Sequence, residues 1–215
     1  MQRAPDWADF VPGGRLSDGT RDQVMAIRDA TKSRGLLLAV VQAIMNQTVR
    51  SSTDPLNFAR AIEGRIMSLA ASHTLLTREE WRGAPLSEIV RSQLRPLTGL
   101  SEEALTLYGP EVLLAPEIAT RLGLIVHELG TNAVKHGALL APAGRIHVAW
   151  MASGSLLRLS WIERGGPRPK GTSSRQGFGM KLLRMSGRNL RMSFDPEGFS
   201  CSLELGLEAV GTRSG

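Results

Sequence analysis

The run Pro116–Leu139, PEIATRLGLIVHELGTNAVKHGAL, decides how the rest of the chain is read. Pro116 suits the first turn of a helix, where its missing N–H leaves nothing unpaired that would otherwise be bonded. Apolar residues then recur near the 3.6-residue period, with Ile125, Leu129 and Ala133 on one side. Glu128, Asn132, Lys135 and His136 fall on another, so they are expected to share a polar face that points away from the core. A solvated surface helix would explain such a face, although it would more often pair Lys with Glu four residues apart. This face instead offers an acid, an amide and basic groups close together. An amide and a carboxylate can hold Mg2+ through oxygen, and Lys or His can meet phosphate. Spacing alone leaves the solvated-face and ligand-site readings both open.

Downstream, GRIHVAWMAS and SLLRLSWIERG alternate in polarity and are joined by a Gly-Ser turn, which predicts a hairpin. A second hairpin is expected in LRMSFDPEGFSCSLELGL around Pro196, Glu197 and Gly198. Between them, GFGMKLLRMSG reads as a helix led by glycine. Upstream, PLSEIVRSQLRPLT reads as a helix capped by Ser87, and ALTLYGPEVLLAP as strand, Gly-Pro turn and strand. Residues 78–210 therefore predict an α+β domain, a mixed or antiparallel sheet with helices on one face.

Residues 21–77 read differently. RDQVMAIRDATKSRGLLLAVVQAIMNQTVR has apolar residues near helical spacing, with Gly35 as a weak point. Pro55 ends that run and suits the first turn of a second helix, on which Phe58, Ile62, Ile66 and Leu69 share a face. Two helices with a short connection predict an antiparallel hairpin. Its apolar faces are too broad for one hairpin to bury. Dimerisation into a four-helix bundle would cover them, and packing on the second domain is the competing outcome. Residues 1–20 read as a flexible leader and 211–215 as a tail.

The bulk composition restricts the partners. The chain has 215 residues, 42% of them hydrophobic, and a formal net charge of +6. That balance favours anionic partners. Nucleic acid is not expected, because no recognition motif and no interleaving of aromatic with basic residues is present. The single cysteine, Cys201, excludes an internal disulfide and a thiolate zinc site, and its alternating surroundings predict a buried strand position. No signal-peptide core and no run of about 18 apolar residues is seen, so a cytoplasmic protein without a membrane span is expected.

Two more segments give the polar helix a context. WIERGGP places Glu163 at the end of a strand beside Gly165 and Gly166. A carboxylate there could accept the exocyclic amine of adenine, and glycines let backbone approach a ligand. GFGMKLL puts Gly177 and Gly179 ahead of a helix whose N-terminal N–H groups suit phosphate. A lone GxG most often marks a turn. Three such segments in this order say more than any one alone.

These segments resemble a known family. HELGTNAVKHGAL resembles the N box of histidine-kinase ATPase domains, and WIERGGP and GFGMKLL resemble its two glycine boxes. His127, Trp161 and Glu163 together match the HWE subfamily of bacterial sensor histidine kinases. LLLAVVQAIMNQTVR, ASHTLLTREEWRGAPLSEIV and YGPEVLLAPEIA are also similar to it, so the resemblance covers roughly residues 22–207. It implies a dimerisation and phosphoacceptor hairpin followed by a Bergerat-type ATPase α/β sandwich that binds ATP and Mg2+. It implies that Asn132 holds Mg2+, that Glu128 is a candidate base, and that Lys135 and His136 approach the phosphates. Glu163 would bind adenine, while Gly165, Gly166, Gly177 and Gly179 shape the pocket and its lid. RPKGTSSRQ would be a short basic lid, and His127 a structural residue. A homodimer and a response regulator or another kinase are the partners implied.

The pattern departs from the family at one decisive position. The family carries a phosphoacceptor His just ahead of the LAVVQ segment, where this chain has ATKSRGLLLAVVQ. Lys32, or Thr31 with a shift of one residue, occupies that place. The four histidines are His73, His127, His136 and His147. A protonated Lys is a poor nucleophile at neutral pH, and Thr needs activation. His73, at the end of the second helix, matches a position that is not the acceptor. The segment after Leu183 also looks shortened relative to the family. The resulting expectation is an ATP-binding relative without an acceptor His of its own, regulating or scaffolding a response regulator or another kinase, with input supplied by another protein. The alternatives are an active kinase directed at a residue elsewhere, as in the anti-sigma-factor kinases, and a nucleotide-free adaptor.

Overall fold

The computed structural model describes residues 41–42, 44–46, 48–49, 54–98, 102–169, 182–184 and 187–207. Among these, residues 41–42, 44–46 and 48–49 are helical and are called α1 here. Then follow α2 (Pro55–Arg78), β1 (Ala84–Pro85), α3 (Leu86–Thr98), β2 (Leu105–Tyr108), β3 (Leu113–Leu114) and α4 (Pro116–His136). Four long strands follow: β4 (Arg145–Ser153), β5 (Leu156–Arg164), β6 (Arg188–Asp195) and β7 (Gly198–Gly206). Lys32, Thr31, the leader, the tail, Gly177, Gly179 and most of the basic lid lie outside the described residues.

The main sheet has the order β2-β4-β5-β7-β6. Both expected hairpins form: β4 pairs antiparallel with β5, and β6 with β7. The two strands read in ALTLYGPEVLLAP also exist, but they do not pair with each other. β2 joins β4 in parallel, while β3 pairs antiparallel with β1. The sheet is therefore mixed, as an edge strand arriving by a long helical crossover must be when it lies parallel to its neighbour.

One face of this sheet is apolar and covered. Alternation along β5 buries Leu157, Leu159, Trp161 and Glu163 and turns Arg158 and Ser160 outward. Cys201, Leu203 and Leu205 of β7 and Ile146 and Val148 of β4 join the same core, so the buried strand position expected for Cys201 is found. Leu86, Ile89, Val90 and Leu94 of α3 meet Leu122, Ile125 and Leu129 of α4 above it. Burial pushes the Cys201 thiol up to about 12, helped by the nearby Glu163 carboxylate.

The second helix begins where its sequence says. Pro55 occupies the first turn, and Asp54 accepts the Asn57 N–H at 3.0 Å. Its covered face is Arg65, Ser68, Leu69, Ser72 and Leu76, a helical stripe. Ile66, expected on the buried face with Leu69, is instead 45% exposed, because the stripe runs one residue earlier through Arg65. α2 packs on α4 and α3, so within one chain the second domain covers part of the hairpin. Met45, Val49, Leu56 and Met67 remain exposed.

Candidate functional site

α4 is buried along most of its length, between the sheet and α3 on one side and α2 on another. Its polar residues are therefore divided. Asn132, Lys135 and His136, in the last turns, are exposed. Glu128 does not share that exposed face as the spacing suggested, because α2 covers it. Its Oε1 accepts from Arg65 Nε at 2.7 Å. Arg65 also donates through Nη1 to Thr48 Oγ1 at 2.6 Å, and Thr48 donates to the Ile44 carbonyl at 2.5 Å. One guanidinium thus ties α1, α2 and α4 together. Arg65 drew no notice as a site residue in the sequence, although a charge in register with Leu69 and Leu76 on a covered stripe was a visible signal.

His127 is also covered by α2, as expected of a structural residue. A methyl group added to Gly64 would lie 3.0 Å from its Nε2. Burial lowers the pKa of His127, with Glu128 opposing the shift and Arg65 and Lys135 adding to it. The neutral ring is thus the folded form. Because its folded pKa is depressed, its share of stability is full above the ordinary histidine value of about 6.5 and is lost as pH falls through the lower folded value. His127→Gln is expected to flatten the loss of melting temperature between pH 7 and pH 5. An unchanged slope in that window would show that the ring does not titrate there.

The first glycine box meets the end of α4. Alternation of β5 sends the Glu163 side chain inward, where it is 3% exposed. Its Oε2 accepts the Ala138 N–H at 2.8 Å, and its Oε1 accepts Trp161 Nε1–H at 3.0 Å. Burial raises its pKa, and the two donated hydrogen bonds oppose that rise. Each carboxylate oxygen has a second lone pair, so acceptor capacity remains for a ligand. Gly137 and Gly166 allow this contact: a Cβ on Gly137 would overlap Glu163 Oε2, and one on Gly166 would overlap the Ala138 backbone.

Gly165 has φ +73°, and a Cβ there would run into the Ala143 carbonyl. Gly165→Ala is expected to lower stability by about 2 kcal/mol through backbone strain and that overlap. Urea unfolding reads this directly, and a loss under about 0.5 kcal/mol, the range of an ordinary surface change, would contradict the assignment.

The structure therefore brings together the N-box residues Asn132, Lys135 and His136 with Glu163, Gly165 and Gly166 at one end of α4. It separates Glu128 from them by the α2 contact. Trp161, singled out in the sequence with Glu163, and the Ala138 N–H both donate to the Glu163 carboxylate, and the Ala138 contact became visible only in three dimensions. Among the described residues no group of three or more His, Cys, Asp and Glu could hold a metal. A Mg2+ ion at Asn132 would thus draw most ligands from phosphate and water, as this ion commonly does. No helix of the described residues is long and apolar enough to cross a membrane.

Residues 37–111 match the family model for the HWE histidine kinase. The chain is 32% identical over 166 residues to a blue-light-activated histidine kinase of Brucella anthropi, covering 75% of this chain and 34% of that protein. It is 34% identical over 164 residues to blue-light-activated histidine kinase 1 of Erythrobacter litoralis, covering 75% of this chain and 45% of that protein. The chain thus spans less than half the length of the curated relatives it matches. Among solved structures, a blue-light-activated histidine kinase of Erythrobacter litoralis aligns over 90% of this chain and 61% of its own, with TM-score 0.62 and 17% identity. The histidine kinase domain of that protein aligns over 86% and 93%, with TM-score 0.58 and 18% identity. These two likenesses support the α+β fold. With the family model matching the hairpin and its junction, and relatives above 30% identity extending over three quarters of the chain, this protein belongs to the HWE histidine kinase family.

Proposed function

We propose that this chain is an ATP-binding signalling protein of a two-component system that lacks a phosphoacceptor His of its own and regulates or scaffolds a response regulator or another kinase. The observation that carries the nucleotide reading is the junction of Glu163 with the end of α4. It sets a buried carboxylate, held by two donors, within a few residues of exposed Asn132, Lys135 and His136. Glu163 offers acceptors to the adenine amine, Lys135 and His136 offer positive charge to phosphate, and Asn132 offers an amide oxygen to Mg2+. Gly177 and Gly179 are proposed to complete the phosphate side. Glu128 is the candidate base.

The acceptor argument is chemical. None of the four histidines precedes residue 73, and Lys32 or Thr31 stands where the imidazole is expected. A lysine is protonated at pH 7 and a threonine hydroxyl is a weak nucleophile, so neither attacks phosphorus without activation. His73 lies edge-on to Trp81, with ring centroids 4.9 Å apart, and within 3.4 Å of Thr77 Oγ1. It lies half-buried near the C-terminal end of α2, and its ring is engaged by these two contacts, so we do not assign it as the acceptor. Exposed Met45, Val49, Leu56, Ile66 and Met67 support a homodimer through residues 21–77, with 78–210 as the ATPase domain. A cytoplasmic location accords with this role.

Incubation with Mg2+ and γ-labelled ATP tests the reading, with binding and retained label measured together. Binding without label is the expected result. Label on the chain would replace it with an active kinase of unconventional acceptor, starting with Thr31 and Lys32. Transfer of label to a partner alone would favour a kinase directed elsewhere, and no binding would leave the adaptor.

A further inference from the structure

The contact between α2 and α4 is built from unusual material for a helix seam. On α2 it presents Gly64, Arg65, Ser68 and Ser72, and on the facing side Gly123, His127 and Glu128 of α4 with Gln93 of α3. Gln93 Nε2 donates to the Ser68 carbonyl and to Ser72 Oγ at 3.0 and 3.2 Å. A Cβ on Gly123 would overlap Ser72 Oγ, so the helices approach closely there. Ser68 Oγ is buried with no hydrogen-bond partner among the described residues. The opposite side of α4 is lined by Ile118, Leu122, Ile125 and Leu129.

The two kinds of surface respond differently to separation. Apolar area resists exposure in proportion to its size. A buried ion pair adds little net stability relative to apolar packing, because both charges regain water when they part. An unpaired hydroxyl gains a partner outright on meeting water. The seam therefore fixes geometry strongly while resisting opening weakly. Among the described residues, its apolar contribution from α1 is Ile44 against Leu124, with Leu182 packed beside them.

The ends of α2 differ in the same sense. Leu76 sits in the main core with Leu75 and Trp81 packed beside it. Glu80 and Trp81 then turn the chain with φ of 49° and 62°. The polar residues Arg65 and Ser68 lie two to three turns earlier. A hinge at the Leu76–Trp81 end and a latch at the Arg65 end follow from this distribution.

We propose that the Arg65–Glu128 pair is a releasable latch, which when closed docks α2 on the N-box helix and withholds the Glu128 carboxylate from chemistry, and when open frees both. Arg65 is thus a positioning residue for Glu128. The consequence for Glu128 rests on its reading as the candidate base.

Thiol labelling of the full chain tests this with a reporter already in place. Cys201, buried in the sheet, reacts only when the domain unfolds, and Ser68→Cys adds a thiol inside the seam. The Ser68→Cys thiol is expected to react at least about 100-fold faster than Cys201, on the principle that local openings need less free energy than global unfolding. Adding Arg65→Gln should raise its rate by at least about another tenfold, and Arg65→Lys should restore most of the original rate. Equal rates at the two thiols, or a seam rate that Arg65→Gln leaves unchanged, would overturn the latch. Gly64→Ala, which presses on His127 without touching the ion pair, should also speed the seam thiol. ATP turnover is then measured on the same variants. A seam that opens while turnover stays flat leaves the latch standing and removes Glu128 as base. Failure of the parent chain to bind ATP removes the nucleotide reading and leaves the labelling result intact.

Discussion

Glu163→Ala is expected to abolish measurable nucleotide binding and to lower stability by about 2–4 kcal/mol. The stability loss follows from what the side chain leaves behind. The Ala138 N–H and Trp161 Nε1–H both donate to this carboxylate in a buried place. Without it each becomes an unpaired donor, at about 1–3 kcal/mol apiece, offset in part by relief of the carboxylate's own burial. The binding loss follows from removing the acceptor proposed for adenine, worth a factor of about 100 or more where a site built around a hydrogen bond loses it. Calorimetric titration with ATP and urea unfolding measure the two effects separately. Normal affinity in a folded Glu163→Ala chain would end the adenine assignment.

A pH measurement on Glu163→Gln sharpens the same point. Burial raises the Glu163 pKa, so the folded state holds its proton more tightly than the unfolded chain does. Its contribution is therefore full below the ordinary glutamate value and declines as pH rises through the higher folded value. Glu163→Gln removes that titration, so its stability should change less over this interval than that of the parent chain.

Breaking the Arg65–Glu128 pair from one side should be costly, and removing both partners should not. Arg65→Met leaves a carboxylate about a tenth exposed without its cation, which is expected to lower stability by about 3–5 kcal/mol. Glu128→Leu alone strands the guanidinium in the same way. The double variant Arg65→Met/Glu128→Leu should recover most of the loss, because an apolar pair of similar volume fills the seam without the cost of dehydrating two charges. Urea unfolding of the four chains gives the coupling energy. Additive losses would mean that the two side chains do not depend on each other and that the seam is held elsewhere. By contrast, the ion pair of Arg158 with Glu204, at 2.6 Å, has an arginine 71% exposed, and its removal should be nearly silent.

The elements were readable because their signals are local. Pro116 opened α4, Pro55 opened α2, and alternation marked β4 to β7, each through short-range backbone or side-chain preference. The pairing of β2 was not readable. Its sequence looks the same whether it folds back on β3 or crosses to lie parallel with β4, and long-range packing made the choice. The site divides in the same way. The motif order of the N box and the first glycine box placed Asn132, Lys135, His136, Glu163, Gly165 and Gly166 in one neighbourhood, because motif and helix period are properties of consecutive residues. Strand alternation already put Trp161 on the face of Glu163, two residues away, but nothing local announced that the Ala138 N–H would hold that carboxylate, since the end of α4 brings it there.

Glu128 marks the boundary between the two sources of information. By itself the sequence determined the helix, the face on which Glu128 stands and the absence of an acceptor His at Lys32 and Thr31. Whether that carboxylate meets water, a ligand or a cation was decided by the packing of α2, sixty-three residues away in the chain. Helical period fixes direction around an axis, but burial depends on what the rest of the chain brings to that side.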